Sequence, residues 1–149
     1  MAAGPWVITN AYKLRTLNGG GLDFDATNAL RCILLSSSSN IASGPADCYT
    51  GGTGTAVTGE LSTANGYTAG GYTLQGALSG TSTVSADTQD ATWTASGGSI
   101  TARYAAIYDN TAASKTIIAY CLLDSTPADV TVTAGNILTI GITNIFTHA

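Results

Sequence analysis

The residues able to do chemistry are few, and their spacing suits little of it. The one histidine, His148, stands next to the C-terminus, where chains commonly fray. A Ser-His-Asp or Cys-His arrangement needs its imidazole locked between nucleophile and orienting group. The three cysteines, Cys32, Cys48 and Cys121, are an odd number and cannot all pair within one chain. Cys32 and Cys121 lie in apolar runs and read as small buried hydrophobes, with a Cys32–Cys48 bridge as the minor alternative. They show no C-x-x-C spacing, and one histidine cannot complete a zinc set. Asp23-Phe-Asp25-Ala-Thr27-Asn28 opens like a calcium loop, but Asn28 and Leu34 stand where an EF-hand needs glycine and glutamate. A polar turn is the expectation there. Asp87 and Asp90 flank Thr88-Gln89 as turn residues do, and Glu60 is the only glutamate, with no aspartate placed opposite it. Gly52-Thr-Gly54 lacks the third glycine of a dinucleotide fingerprint, and no Gly-Lys-Ser/Thr occurs. The expectation is a protein without catalytic residues, metal or cofactor, and so not an enzyme.

Composition narrows the alternatives. The chain has 149 residues, enough for one β domain spanning 1–149. Only 9% are charged, against roughly 25% in ordinary soluble domains. Alanine, glycine, serine and threonine fill more than half of the positions. That excludes coiled coils and long bundles, which need Glu, Lys, Arg and Leu. Five Lys/Arg against nine Asp/Glu give a net charge of −4, too acidic for a nucleic-acid face. With 44% apolar residues and seven tyrosines, the chain is also unlike a disordered one. No apolar run nears the roughly 18 residues of a membrane span. The first residues lack the basic and apolar regions of a secretory signal, so no membrane partner is expected and synthesis in a reducing cytoplasm is.

The elements follow from local pattern. Residues 1–9 read as an extended arm, led at Pro5 by a ring that fixes φ. Thr9 or Asn10 can cap a short helix over Ala11–Leu17, which Asn18 and Gly19-Gly20-Gly21 then end. Leu30–Leu35 reads as an apolar strand. Residues 36–59, with four serines and then Gly44-Pro45, Gly51-Gly52 and Gly54, read as a long loop or excursion, an unusual length that tends to be functional. Further strands are expected at Tyr72–Leu78, Thr81–Ala86, Ala91–Ala95, Ile100–Tyr108, Thr116–Leu123, Val130–Thr133 and Ile137–Thr143. Gly97-Gly98 is a two-residue hairpin cue, and Asp109-Asn110 and Gly135-Asn136 are similar turn signals. About 7–9 antiparallel strands with one short N-terminal helix imply a mainly β chain, a β-sandwich or jelly-roll-like barrel. The apolar runs at Ile100–Tyr108 and Thr116–Leu123 predict strands covered on both faces, within the domain or by a neighbouring subunit.

The aromatic residues beside strands read as core and interface packing. Trp6 differs because it sits in the terminal arm, which can anchor on a neighbour or fold back. Pro5, Trp6, Val7 and Ile8, with Tyr49 in the excursion, are therefore the candidate contact residues.

One set of segments is recognisable. Gly66-Tyr-Thr-Ala-Gly-Gly-Tyr72, Asp90-Ala-Thr-Trp93, Ile100–Asp109, Ile117-Ile-Ala-Tyr120 and Gly135–Ile140 occur in that order. Together they resemble a family of small tailed-bacteriophage structural proteins, most clearly from Glu60 to Ile140. Where that family's strand ends Tyr-Ile-Asp-Phe, this chain has Tyr120-Cys-Leu-Leu-Asp124. The resemblance implies a virion component and carries no catalytic residue. A decoration (cement) protein is the expected role. It would bind the capsid exterior, bridge major-capsid subunits and associate with its own copies, as a trimer, after assembly in the host bacterial cytoplasm. The rival roles are a tail or fibre component and a carbohydrate-binding β-sandwich. Scarce charge fits assembly, since interface cores are depleted in it.

Overall fold

The protein is described from a computed structural model covering residues 3–43, 46–49 and 54–148. The Gly44-Pro45 and Gly51-Gly52 parts of the expected loop lie outside the described residues. The N-terminal half of the described chain runs β1 (Val7–Ile8), α1 (Asn10–Leu17), β2 (Leu30–Leu35), β3 (Ala46–Cys48), β4 (Thr55–Ala56), β5 (Tyr72–Leu74) and β6 (Gly76–Ser79). It continues with β7 (Val84–Thr88), β8 (Ala91–Thr94), β9 (Ile100–Ala102), β10 (Tyr104–Asp109), β11 (Ile117–Leu122), β12 (Val130–Val132), β13 (Ile137–Ile140) and β14 (Phe146–His148). The chain is mainly β with one short helix, and its sheets do not close into a barrel.

The central sheet has the order β1-β11-β10-β2-β5, antiparallel throughout. Side chains alternate across a strand, so the apolar runs of β2 and β10 supply two cores at once. Leu30, Cys32, Leu34, Ala105 and Ile107 enter the larger core, and Ile33, Leu35, Ala106 and Tyr108 enter a smaller one on the opposite face. The excursion covers that second face, laying Ile41, Tyr49 and Val57 on it. The double coverage expected of these strands is therefore supplied within the chain.

The larger core is closed by a second layer. Ala91, Trp93, Ile100, Ala102, Val130 and Leu138 come from a two-stranded ribbon, while Ala86 and Phe146 come from the three-stranded sheet β14-β7-β6. The ribbon corrects one sequence expectation. Gly97-Gly98 does not close a hairpin, because β8 pairs with β13 and β9 with β12. Residues 91–102 instead run antiparallel to 130–140 as one ribbon bent midway. Gly97 (φ +74°) and Gly135 (φ +88°) sit at the bend, one on each strand, where left-handed backbone lets both turn together. The Gly135 N–H bonds to the Ala95 carbonyl at 2.8 Å across it. Asp109-Asn110 does open a true hairpin, between β10 and β11.

The C-terminal strand differs from expectation: Phe146–His148 form β14, which pairs with β7, Phe146 opposite Ala86 and His148 opposite Val84. Of the two courses open to the arm, it takes the one back onto its own body, Val7 and Ile8 pairing with Tyr120 and Ala119, and Trp6 packing against the larger core. Helix α1 is capped by Thr9, whose hydroxyl accepts from the Tyr12 N–H and donates to the Ile117 carbonyl.

Candidate functional site

The ribbon's outer side is built from one residue type. In β8 and β13 the buried residues alternate with exposed Thr92, Thr94, Ile137 and Thr139. Thr101 and Thr131 continue the pattern in β9 and β12, their hydroxyls 3.0 Å apart. The register sets Thr92 opposite Thr139, Thr94 opposite Ile137, and Thr101 opposite Thr131. In β8 and β13 the result is an uncharged strand face of three threonines around Ile137, which is 61% exposed. Beyond the bend Thr101 and Thr131 carry the pattern on toward the Arg103–Asp129 pair. Its methyl and hydroxyl groups can meet another neutral surface without desolvating a charge, which is the costly part of burying polar residues.

The sequence-derived contact residues divide into two groups. Pro5, Trp6, Val7 and Ile8 lie together along one edge of the central sheet, with Pro5 and Val7 exposed and Trp6 and Ile8 half-buried against the larger core. Tyr49 is engaged elsewhere. Its ring stacks on Tyr108 with centroids 4.4 Å apart, and its hydroxyl donates to Glu60 Oε2 at 2.7 Å.

Glu60 is the centre of a polar seam that joins the excursion to the central sheet. Its Oε1 accepts from the Tyr67 hydroxyl at 2.8 Å and from the Gly70 N–H at 2.7 Å. The Tyr108 hydroxyl donates to the Gly70 carbonyl at 3.0 Å. Burial, then the neighbouring Glu60 carboxylate, pushes the Tyr49 phenol well above its ordinary value. Tyr67 is raised chiefly by burial, although its bond to Leu34 N–H acts the other way. These phenols stay protonated and donate to the Glu60 carboxylate, so the arrangement ties the excursion to the central sheet.

Asp109 is a second, separate polar centre. Its side chain is fully buried, and its Oδ1 accepts from Thr111 N–H and hydroxyl and from Ala112 N–H. Its Oδ2 pairs with Arg15 of α1 at 2.5 Å. Burial is the strongest influence on this carboxyl and would raise it, but the Thr111 and Arg15 bonds together hold it below its ordinary 3.8.

The remaining chemistry-bearing residues take structural positions. Cys32 and Cys121 are free thiols buried in the larger core, and burial pushes Cys121 up to about 12 and Cys32 higher still. Cys48, in β3 of the excursion, is also buried. Asp90 Oδ1 accepts from the Ile142 N–H at 3.0 Å, tying the chain after β13 to the start of β8, and Asp87 Oδ1 accepts locally from the Thr88 N–H. Among the described residues no group of three His, Cys, Asp or Glu side chains is placed to hold a metal. Trp93, Tyr67 and Tyr108 are buried in clusters, while Tyr72, Tyr104 and Tyr120 are half-buried.

Sequence reasoning missed the threonine face. The alternation in Ala91-Thr-Trp-Thr94 and Ile137-Leu-Thr-Ile140 was the available signal. It becomes a surface only once β8 is known to pair with β13. Comparison with protein-family models, with curated proteins and with solved structures finds no match to this chain.

Proposed function

We propose that the protein is a structural component of a tailed-phage particle, a decoration (cement) protein of the capsid exterior. It binds major-capsid subunits and copies of itself, in a trimer, and takes no part in catalysis. The observation that carries this reading is the uncharged threonine face around Ile137. Joints between capsid subunits are neutral, close-packed surfaces, and a decoration protein acts by burying more of the same kind of surface across them. Burial contributes about 25 cal/mol per Å² of apolar area, so many copies together oppose expansion of the shell. The resemblance to phage structural proteins from Glu60 to Ile140 points to the same setting.

Cryo-electron microscopy of purified particles tests the placement. Density for this chain on the capsid exterior is the expected result, and density confined to tails or fibres overturns it. Adding the protein to capsids that lack it should raise their melting temperature. Binding without such a rise removes the stabilising role.

A further inference from the structure

We propose that copies of this protein assemble by exchanging their N-terminal segments, so that residues 3–18 of one copy complete the central sheet of another. This concerns how copies join one another and holds whether or not the capsid reading does.

The segment is built to come away as a unit. It consists of the arm, β1 and α1, and helix α1 has no buried residue. Its hold on the body includes the two-residue β1–β11 pairing, the Gly4 N–H bond to the Leu122 carbonyl, the Thr9 N–H bond to the Ile118 carbonyl, the Thr9–Ile117 contact, the Arg15–Asp109 ion pair and the Tyr12–Phe146 ring contact. Trp6, Ile8 and Tyr12 add half-buried apolar contacts.

The seam between segment and body is open to solvent along two clefts. One, of about 430 Å³, lies between Ala3, Gly4 and Trp6 on one side and Leu123, Val130 and Ile140 on the other. A second, of about 500 Å³, separates Val7, Ala11 and Leu14 from Ile41, Asp47 and Tyr120. Where water already reaches between segment and body, parting them exposes less new apolar surface than parting either core.

The linker suits the exchange. Gly19-Gly20-Gly21 bonds only within itself and back to the helix, through Gly20 N–H to the Arg15 carbonyl and Gly19 N–H to the Thr16 carbonyl. A Cβ on Gly19 or Gly21 would meet nothing within 4 Å, and one on Gly20 would meet only Arg15, 2.6 Å away within the segment itself, so at these positions the body of the domain does not require glycine. Three glycines let a released segment reach a neighbour with little steric restriction.

The occupant is a second copy because an identical segment reproduces every seam contact without any new complementarity, which is the logic of domain swapping. Exchange also gives a use to surface that the closed chain leaves in water. Leu14 and Leu17 are 62% and 84% exposed on α1, and exposed Val7 of β1 lines the same cleft as Leu14. In an exchanged assembly the linkers and helices of neighbouring copies adjoin, which covers these side chains.

The test uses the opposed pair Val7 and Tyr120. A V7C/Y120C double variant, oxidised and run on a denaturing gel without reductant, should give covalent multimers that collapse to single chains on reduction. A single-chain band from an oligomeric sample overturns the proposal, as does a monomeric mass for the native protein in solution. Should the double variant fail to fold, isotopically light and heavy native chains are refolded together and treated with an amine-to-carboxylate cross-linker. Lys13 and Asp47 line the same cleft. Exchange predicts that about half of the Lys13 cross-links to body peptides join a light chain to a heavy one. Cross-links confined to like-labelled chains overturn it.

Discussion

Asp109 shows what a single carboxylate can do when it has no exposed surface. It ties α1 to the start of the β10–β11 hairpin, taking bonds from Thr111 and Ala112 on one oxygen and from Arg15 on the other. Replacing it with asparagine keeps the shape but leaves the guanidinium and one or more donors without their charged acceptor. We expect Asp109→Asn to cost about 2–3 kcal/mol, measured by denaturant unfolding near neutral pH. The pH dependence identifies the charge as the source. The folded carboxyl is held below its ordinary 3.8, so the unfolded chain takes up the proton first as acid is added. The stabilisation is therefore complete above 3.8 and disappears as pH falls through the lowered folded value. The gap between native and variant stability should be flat around neutrality and narrow below about pH 4. A gap that persists unchanged into acid would assign the loss to packing instead. Little of this was legible in the sequence, where Asp109-Asn110 reads as an ordinary turn. Its partner, Arg15, lies 94 positions away, and only the folded sheet brings them together.

Elements whose cause is local were legible, and pairings between distant segments were not. Helix α1 falls where Thr9 and the glycine run place it, because caps act over three or four residues. Several strands likewise fall near their predicted runs, but Tyr72–Leu78 and Ile100–Tyr108, each read as one strand, are divided into β5 and β6 and into β9 and β10, which join different sheets. Gly97-Gly98 misled because a two-residue glycine turn is a local cue for a hairpin, whereas β8 finds β13 more than forty residues later. The segment Gly66–Tyr72 shows the same division. Its glycines are visible in sequence, but what each one passes is not. A Cβ on Gly66 would lie 2.0 Å from the Thr94 carbonyl oxygen of β8, and Gly71 passes close against β2. Gly70 and Gly71 both have positive φ, at +92° and +77°. A Cβ on Gly71 would lie 2.0 Å from the Cys32 carbonyl oxygen, while one on Gly70 would meet only ordinary contacts at 3.6 and 4.0 Å. Comparing the two alanine variants separates backbone strain from collision. Gly70→Ala should cost about 1 kcal/mol and Gly71→Ala about 3–5 kcal/mol, read as a fall in melting temperature. Equal losses would show that β2 yields at Cys32 and that the close pass is not what requires glycine.

At the scale of the whole molecule, scarce charge becomes a statement about where association energy comes from. Of the two ion pairs among the described residues, Arg15–Asp109 is buried within the chain and Arg103–Asp129 sits half-exposed at 2.8 Å. Neither lies among Thr92, Thr94, Ile137 and Thr139, although Arg103–Asp129 borders the face beyond Thr101 and Thr131. Attraction through that face can owe little to long-range fields, and its strength should hardly change with ionic strength. Ile137 is its one large apolar side chain, and at 61% exposure it contributes little to the isolated fold. Ile137→Lys should therefore leave the melting temperature of the free protein within about a degree or two, since exposed substitutions rarely exceed 0.5 kcal/mol. On capsids the same change would bury an unpaired ammonium in a neutral joint. Affinity should drop by at least about tenfold, equivalent to 1.4 kcal/mol, whereas native affinity should stay within about twofold between 50 and 500 mM salt. Undiminished binding by the variant would move the contact off the ribbon. A steep salt dependence of the native protein would instead assign attachment to the few charged residues, because only charge pairs weaken in that way.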